Sequence, residues 1–96
     1  MQATFDEIRE YVLNVTANDY ESLDRVVAEV NDWASKDGKE LSAPEIIGAL
    51  FSLVNDGLID CFVYRPEQSA YKRFPLNEER ASDYWYYISE QGKCSL

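Results

Sequence analysis

The stretch Leu41–Tyr64, LSAPEIIGALFSLVNDGLIDCFVY, constrains the fold more than any other part of the chain. Ser42 stands where a helix N-cap would, and Glu45 completes a capping box. Pro44 falls in the first turn, where its missing N–H costs nothing. Ile46, Ile47, Leu50, Phe51, Leu53 and Val54 then form a wide apolar face at helical spacing. Gly48 costs about 1 kcal/mol against Ala inside a helix, and is read as a point of close packing. Asp56-Gly57 stops the helix. Cys61, Phe62, Val63 and Tyr64 are an unbroken block of β-formers. A helix over 43–56 therefore runs almost directly into a strand over 59–65.

Two more helices come first. Thr4-Phe5-Asp6-Glu7 reads as a capping box, and Phe5, Ile8, Val12 and Val15 give one apolar stripe, which predicts a helix over 5–17. Leu23, Val26, Val27, Val30, Trp33 and Ala34 give another, which predicts a helix over 20–36, or one starting after Ser22 if Tyr20 and Glu21 are loop. Gly38 is its stop. Tyr84 to Ser89 reads as a second strand, antiparallel to the first. The connection from Pro66 to Asp83 is long for a hairpin loop (usually ~2–5 residues) and is read as a working or mobile loop. Glu90-Gln91-Gly92 is expected to turn the chain out of the sheet. The expected core is Phe5, Ile8, Val12, Leu23, Val26, Val30, Ile47, Leu50, Phe51, Val54, Ile59 and Phe62.

LSAPEIIGALFSLVNDGLI resembles the recognition helix and following turn of the PadR and MarR repressor families, where a charged residue precedes Gly-Leu-Ile, as in Asp56-Gly57-Leu58-Ile59. YWYYISEQGK resembles the second wing strand and turn of those families, Ile88-Ser89-Glu90-Gln91-Gly92 standing for their YxLTxxG. The resemblance spans roughly residues 20–92. It implies an α+β winged helix, with three helices followed by a two-stranded antiparallel wing, in a single domain over 1–96. It does not carry DNA reading across. In such repressors polar or basic side chains near the start of the third helix meet base edges. Here that segment is Ala43 to Ala49, with no Lys or Arg and with Glu45 facing the phosphates.

Charge points the same way. Eighteen acids and nine bases leave −9. Residues 1–60 hold thirteen acids and four bases, and residues 61–96 hold five of each. Lys and Arg supply most non-specific affinity for DNA by displacing counterions, so a surface of this sign opposes both nucleic acid and anionic lipid. The acids Asp6, Glu7, Glu10, Asp19, Glu21, Asp24, Glu29 and Asp32 read first as solvated faces of two helices, and second as a patch that occupies a basic partner.

The densest chemistry is aromatic. Tyr84, Trp85, Tyr86 and Tyr87 lie on the last strand, with Phe62, Tyr64, Tyr71 and Phe74 nearby. Residues 84 and 86 point one way and 85 and 87 the other, yet both sides are aromatic, whereas a sheet with one solvated face should alternate. The second side must be covered by the long loop (through Tyr71, Phe74 and Leu76), by a partner, or by both. The expected protein interface is Tyr71, Phe74, Tyr84, Trp85 and whichever of Tyr86 and Tyr87 faces outward. The alternative is a DNA-binding regulator using Arg65, Lys72, Arg73 and Arg80.

No catalytic constellation is legible. The chain has no His, Gly-rich phosphate loop or nucleophile elbow. Cys61 and Cys94 lack metal-ligand spacing, so neither a metal nor a cofactor is expected. No signal peptide and no apolar run of the ~20 residues that cross a bilayer is present, which suits a cytoplasmic protein. The sequence therefore reads as a small acidic interaction or adaptor module, not an enzyme, that meets a protein partner or a second copy of itself through the aromatic wing and the surface of the third helix.

Overall fold

A computed structural model describes residues 3–96. Among them the chain forms α1 (Phe5–Thr16), β1 (Glu21–Ser22), α2 (Leu23–Lys36), α3 (Ala43–Asn55), β2 (Ile59–Arg65), β3 (Ala70–Arg73), β4 (Trp85–Ile88) and α4 (Glu90–Cys94), with 3-10 segments at Pro66–Gln68 and Glu78–Asp83. The architecture is α+β.

The helix starts follow from their caps. The Glu7 N–H donates to the Thr4 hydroxyl, and the Glu7 carboxylate accepts from the Thr4 N–H in return. Ser42 and Glu45 repeat the exchange at α3. Each cap stabilises its helix by about 1 kcal/mol. The later of the two expected starts for α2 is the one formed. Ser22 is its N-cap, because Glu21 and Ser22 are taken by the sheet.

That sheet is larger than the expected two-stranded ribbon. It has four antiparallel strands in the order β1-β4-β2-β3. Ile59 pairs with Ile88 and Phe62 with Trp85, so β2 and β4 are the expected antiparallel partners. Two strands come as corrections. Residues 70–73, expected as loop, fold back on β2 with Tyr64 opposite Tyr71. The tight turn between them puts Ser69 in the left-handed region at φ 48°. On the other side Glu21 pairs with Tyr86, which places β4, the last strand in sequence, inside the sheet. Residues 90–94, expected as a turn, form the short α4 capped by Ser89.

α1, α2 and α3 pack on one another and on one face of the sheet. Strand alternation fills this inner face with Ile59 and Cys61 of β2 and Tyr86 and Ile88 of β4. From the helices come Ile8, Val12, Val15, Val26, Val30, Ile46, Ala49, Leu50 and Leu53, all buried. Each large aliphatic side chain so buried stabilises the fold by about 1.5–3 kcal/mol. Buried Thr16 donates its hydroxyl to the Val12 carbonyl at 3.0 Å. Arg9 ties α1 to the end of α3, with Nη1 2.6 Å from Ser52 Oγ and 3.0 Å from Asp56 Oδ2.

Six residues expected in the core are not fully buried, Leu23 at the start of α2 among them, and Gly48 has no close neighbour. Phe5 is 51% exposed, because it opens α1 ahead of the sheet-covering stripe. On α3 the buried stripe is Ile46, Ala49, Leu50 and Leu53, which leaves Ile47, Phe51 and Val54 half-buried at its margins. Phe62 faces away from the helices. Gly48 packs against nothing: a Cβ built there meets no atom within 4 Å.

Candidate functional site: the outer face of the sheet

The register sorts the aromatic side chains. Tyr84 and Tyr86 are 7% and 0% exposed, so both leave the expected interface. They share the inward parity of Ile88. The Tyr86 hydroxyl donates to the Ala81 carbonyl at 2.7 Å, which pins the 78–83 segment to the core. Burial pushes its phenol well above the ordinary tyrosine range.

Trp85 and Tyr87 have the opposite parity and lie half-buried on the outer face. Phe62 and Tyr64 of β2 and Tyr71 of β3 share that face, brought level by the pairs Phe62–Trp85 and Tyr64–Tyr71. The ring that joins them is Tyr20, expected either at the start of the second helix or in the loop before it. It stacks on Tyr71 with centroids 3.8 Å apart and planes at 4°. It also meets Phe62 edge-on at 5.0 Å and Tyr87 at 4.9 Å. Tyr71 in turn contacts Tyr64 at 5.0 Å and Trp85 at 5.9 Å. Part of the cover for the second face thus comes from the α1–α2 connection, which was not among the expected covers. The only local hint was one aromatic inside the turn-forming run Asn18-Asp19-Tyr20-Glu21-Ser22.

Cover by one ring is incomplete, and Tyr64 remains 40% exposed. Charges border the rings. Asp60 Oδ1 lies 3.3 Å from Arg73 Nη2, and the Lys93 ammonium sits 5.4 Å from the Tyr87 ring centre. Burial first, and then the Asp19 carboxylate, raise the Tyr71 phenol above its usual value. Burial likewise raises the Glu21 carboxyl at the sheet edge, with Glu29 adding to it.

Phe74 is 46% exposed and stands apart from these rings. Its N–H donates to the Cys61 carbonyl, and the Arg65 guanidinium lies 5.9 Å from its ring centre. With Pro75, Leu76, Val54 and Asn55 it lines a groove of about 320 Å³ beside the end of α3.

The four bases of the nucleic-acid alternative do not all come together. Arg65, Lys72 and Arg73 lie on the β2–β3 hairpin, with Arg73 paired to Asp60 and Arg65 over Phe74. Arg80 is on the 78–83 segment, which packs against α2. Among the described residues Lys72 and Arg80 make no ion pair. At the start of α3 both Ser42 donors hold the Glu45 carboxylate and lower its pKa, the backbone hydrogen bond more than the hydroxyl.

Cys61 is buried and Cys94 exposed, and both are free thiols. Among the described residues no His, Cys, Asp and Glu group is placed to hold a metal ion, and no helix is long and apolar enough to cross a membrane. No family model matches the sequence, and comparison with curated proteins and with solved structures returns no significant match.

Proposed function

We propose that this chain is a cytoplasmic, winged-helix-like interaction module that binds a protein through the outer face of its sheet. Support for the winged-helix reading comes from connectivity. The order is helix, short strand, helix, helix and then three strands, and the short strand after α1 pairs with the last strand. β3 then counts as an added strand that lengthens the wing.

The observation that carries the functional reading is the outer face itself. Tyr20, Phe62, Tyr64, Tyr71, Trp85 and Tyr87 form one connected set of rings, with Tyr64 open to solvent. Tyrosine and tryptophan offer large contact area with few rotors to freeze, which is why they dominate interface hot spots. The partner is a second copy or a different protein. Sedimentation velocity of the wild type and of Tyr64→Ser/Trp85→Ser separates the two. Self-association abolished by the double variant identifies the second copy. For a monomer, a photocrosslinker at position 64 in host cells should capture a discrete protein that one at Glu67 does not, and failure of both assays sinks the reading.

A second reading is favoured by one observation, the gathering of Arg65, Lys72 and Arg73 on one hairpin. A gel shift at low salt with random duplex DNA decides it. Binding that disappears in Lys72→Ala/Arg73→Ala would replace the protein-binding reading by a DNA-binding one.

A further inference from the structure

α1 carries a second stripe away from its core face: Glu7, Glu10, Tyr11 and Asn14. Together with Trp33, Asp37 and Lys39 from the end of α2 and the turn beyond it, this stripe lines a groove of about 300 Å³. An adjoining hollow of about 340 Å³ shares Tyr11, Trp33 and Asp37 and reaches Lys36. Trp33 is 37% exposed, a large apolar residue to leave on the outside of a helix bearing Asp24, Glu29 and Asp32.

The charges of the groove do not balance. Lys39 is already held by the Glu7 carboxylate. Lys36 is held by Asp32 at 3.1 Å. Glu10 and Asp37 make no ion pair among the described residues. Asp37 Oδ2 accepts from the Tyr11 hydroxyl at 2.5 Å, which fixes the ring and the carboxylate relative to each other. What remains is an exposed indole flanked by two uncompensated carboxylates and a tyrosine ring held in place.

That combination suits one ligand chemistry. A cation gains from the face of an indole and from charge-assisted hydrogen bonds to carboxylates. A guanidinium uses both best, since it is planar, stacks, and binds a carboxylate through two parallel N–H groups. We infer that the groove between α1 and the end of α2 docks an arginine or lysine side chain from a basic segment of a partner protein. The −9 carried by residues 1–60, which include every residue lining the groove, would draw such a segment toward the protein. The surface is distinct from the outer face of the sheet and stands or falls separately from it.

The test uses an oligo-arginine peptide as probe. In a Trp85→Phe background Trp33 is the sole indole, and its fluorescence should change saturably as peptide is added. With labelled peptide, Trp33→Ala should weaken binding roughly two- to five-fold, and Trp33→Phe should recover part of the loss. Glu10→Gln/Asp37→Asn should weaken it more than Glu67→Gln/Glu78→Gln, which removes the same formal charge elsewhere. Equal losses from the two charge pairs, or wild-type affinity in Trp33→Ala, would mean diffuse attraction to an acidic protein and would overturn the proposal.

Discussion

The Ser89 hydroxyl donates to the Gly57 carbonyl at 2.6 Å, joining two turns that lie far apart in the chain. The same oxygen accepts from the Gly92 N–H at 3.0 Å, and the Ser89 N–H donates to the Leu58 carbonyl at 3.0 Å. The turn into β2 and the turn out of β4 are therefore one structural unit. Gly92 completes it, since a Cβ there would lie 2.1 Å from the Leu58 carbonyl oxygen and 2.6 Å from Ile88 Cγ1. Gly57-Leu58 and Ser89-x-x-Gly92 thus record a packing demand.

Gly92→Ala should destabilise the protein by about 1–3 kcal/mol or more, because the obstacle is backbone that cannot swing aside. Gly48→Ala should have the opposite sign, a gain of about 0.5–1 kcal/mol, since its Cβ enters open space in mid-helix. Urea midpoints of the two variants, at unchanged m-value, check both.

Ser89→Ala removes the α4 cap and the donor to Gly57 together. The expected loss is about 1–2 kcal/mol, larger than for Ser95→Ala, whose hydroxyl makes one exposed contact with the Gln91 carbonyl at 3.3 Å. Thermal unfolding of the two variants side by side gives the comparison.

Tyr86→Phe strands the buried Ala81 carbonyl and should cost about 1–2 kcal/mol at neutral pH. The folded phenol titrates above its ordinary value of 10.0 because burial disfavours the phenolate. A raised folded pKa means that the linked stability is whole below pH 10.0 and is lost as the pH climbs beyond it. Tyr11, pushed up to about 12 by its hydrogen bond to Asp37 and then by burial, adds to the same alkaline loss. The stability of Tyr86→Phe/Tyr11→Phe should therefore fall less steeply above pH 10 than that of the wild type, as read by urea melts across that window.

A thiol reagent should find one cysteine fast and one slowly. Burial, with a smaller contribution from Asp60, raises the Cys61 thiol to about 11, while Cys94 stands exposed near the end of α4. Because the thiolate is the nucleophile, Ellman's reagent near neutral pH should release one equivalent in a rapid phase, and the second only with unfolding. Cys94→Ser should remove the rapid phase and leave the slow one.

Helix limits were legible because caps act over three residues: Thr4 with Glu7 and Ser42 with Glu45 declare themselves locally. Strands β2 and β4 were legible from their apolar runs. β1 and β3 were not, since each exists only through a distant partner. Glu21-Ser22 is too short and polar to signal a strand. Ala70-Tyr71-Lys72-Arg73 carries the charges that protect an exposed sheet edge and so resembles a loop. The outer face was half legible. Alternation along 84–88 showed that a second apolar side existed, but Tyr20, which bridges it, comes from a segment more than sixty residues earlier. On α3 the choice between Ile46 and Ile47 as the buried member turned on helix rotation, which periodicity alone does not settle.

β4 lies between β1 and β2, although it is the last of the strands to be synthesised. A nascent chain on the ribosome can coil its three long helices early, but it cannot close the sheet beneath them until Ile88 has cleared the exit tunnel. Until then the apolar stripes of α1 and α3 have no floor. Newly made copies therefore pass through an interval in which these apolar helix faces stand exposed.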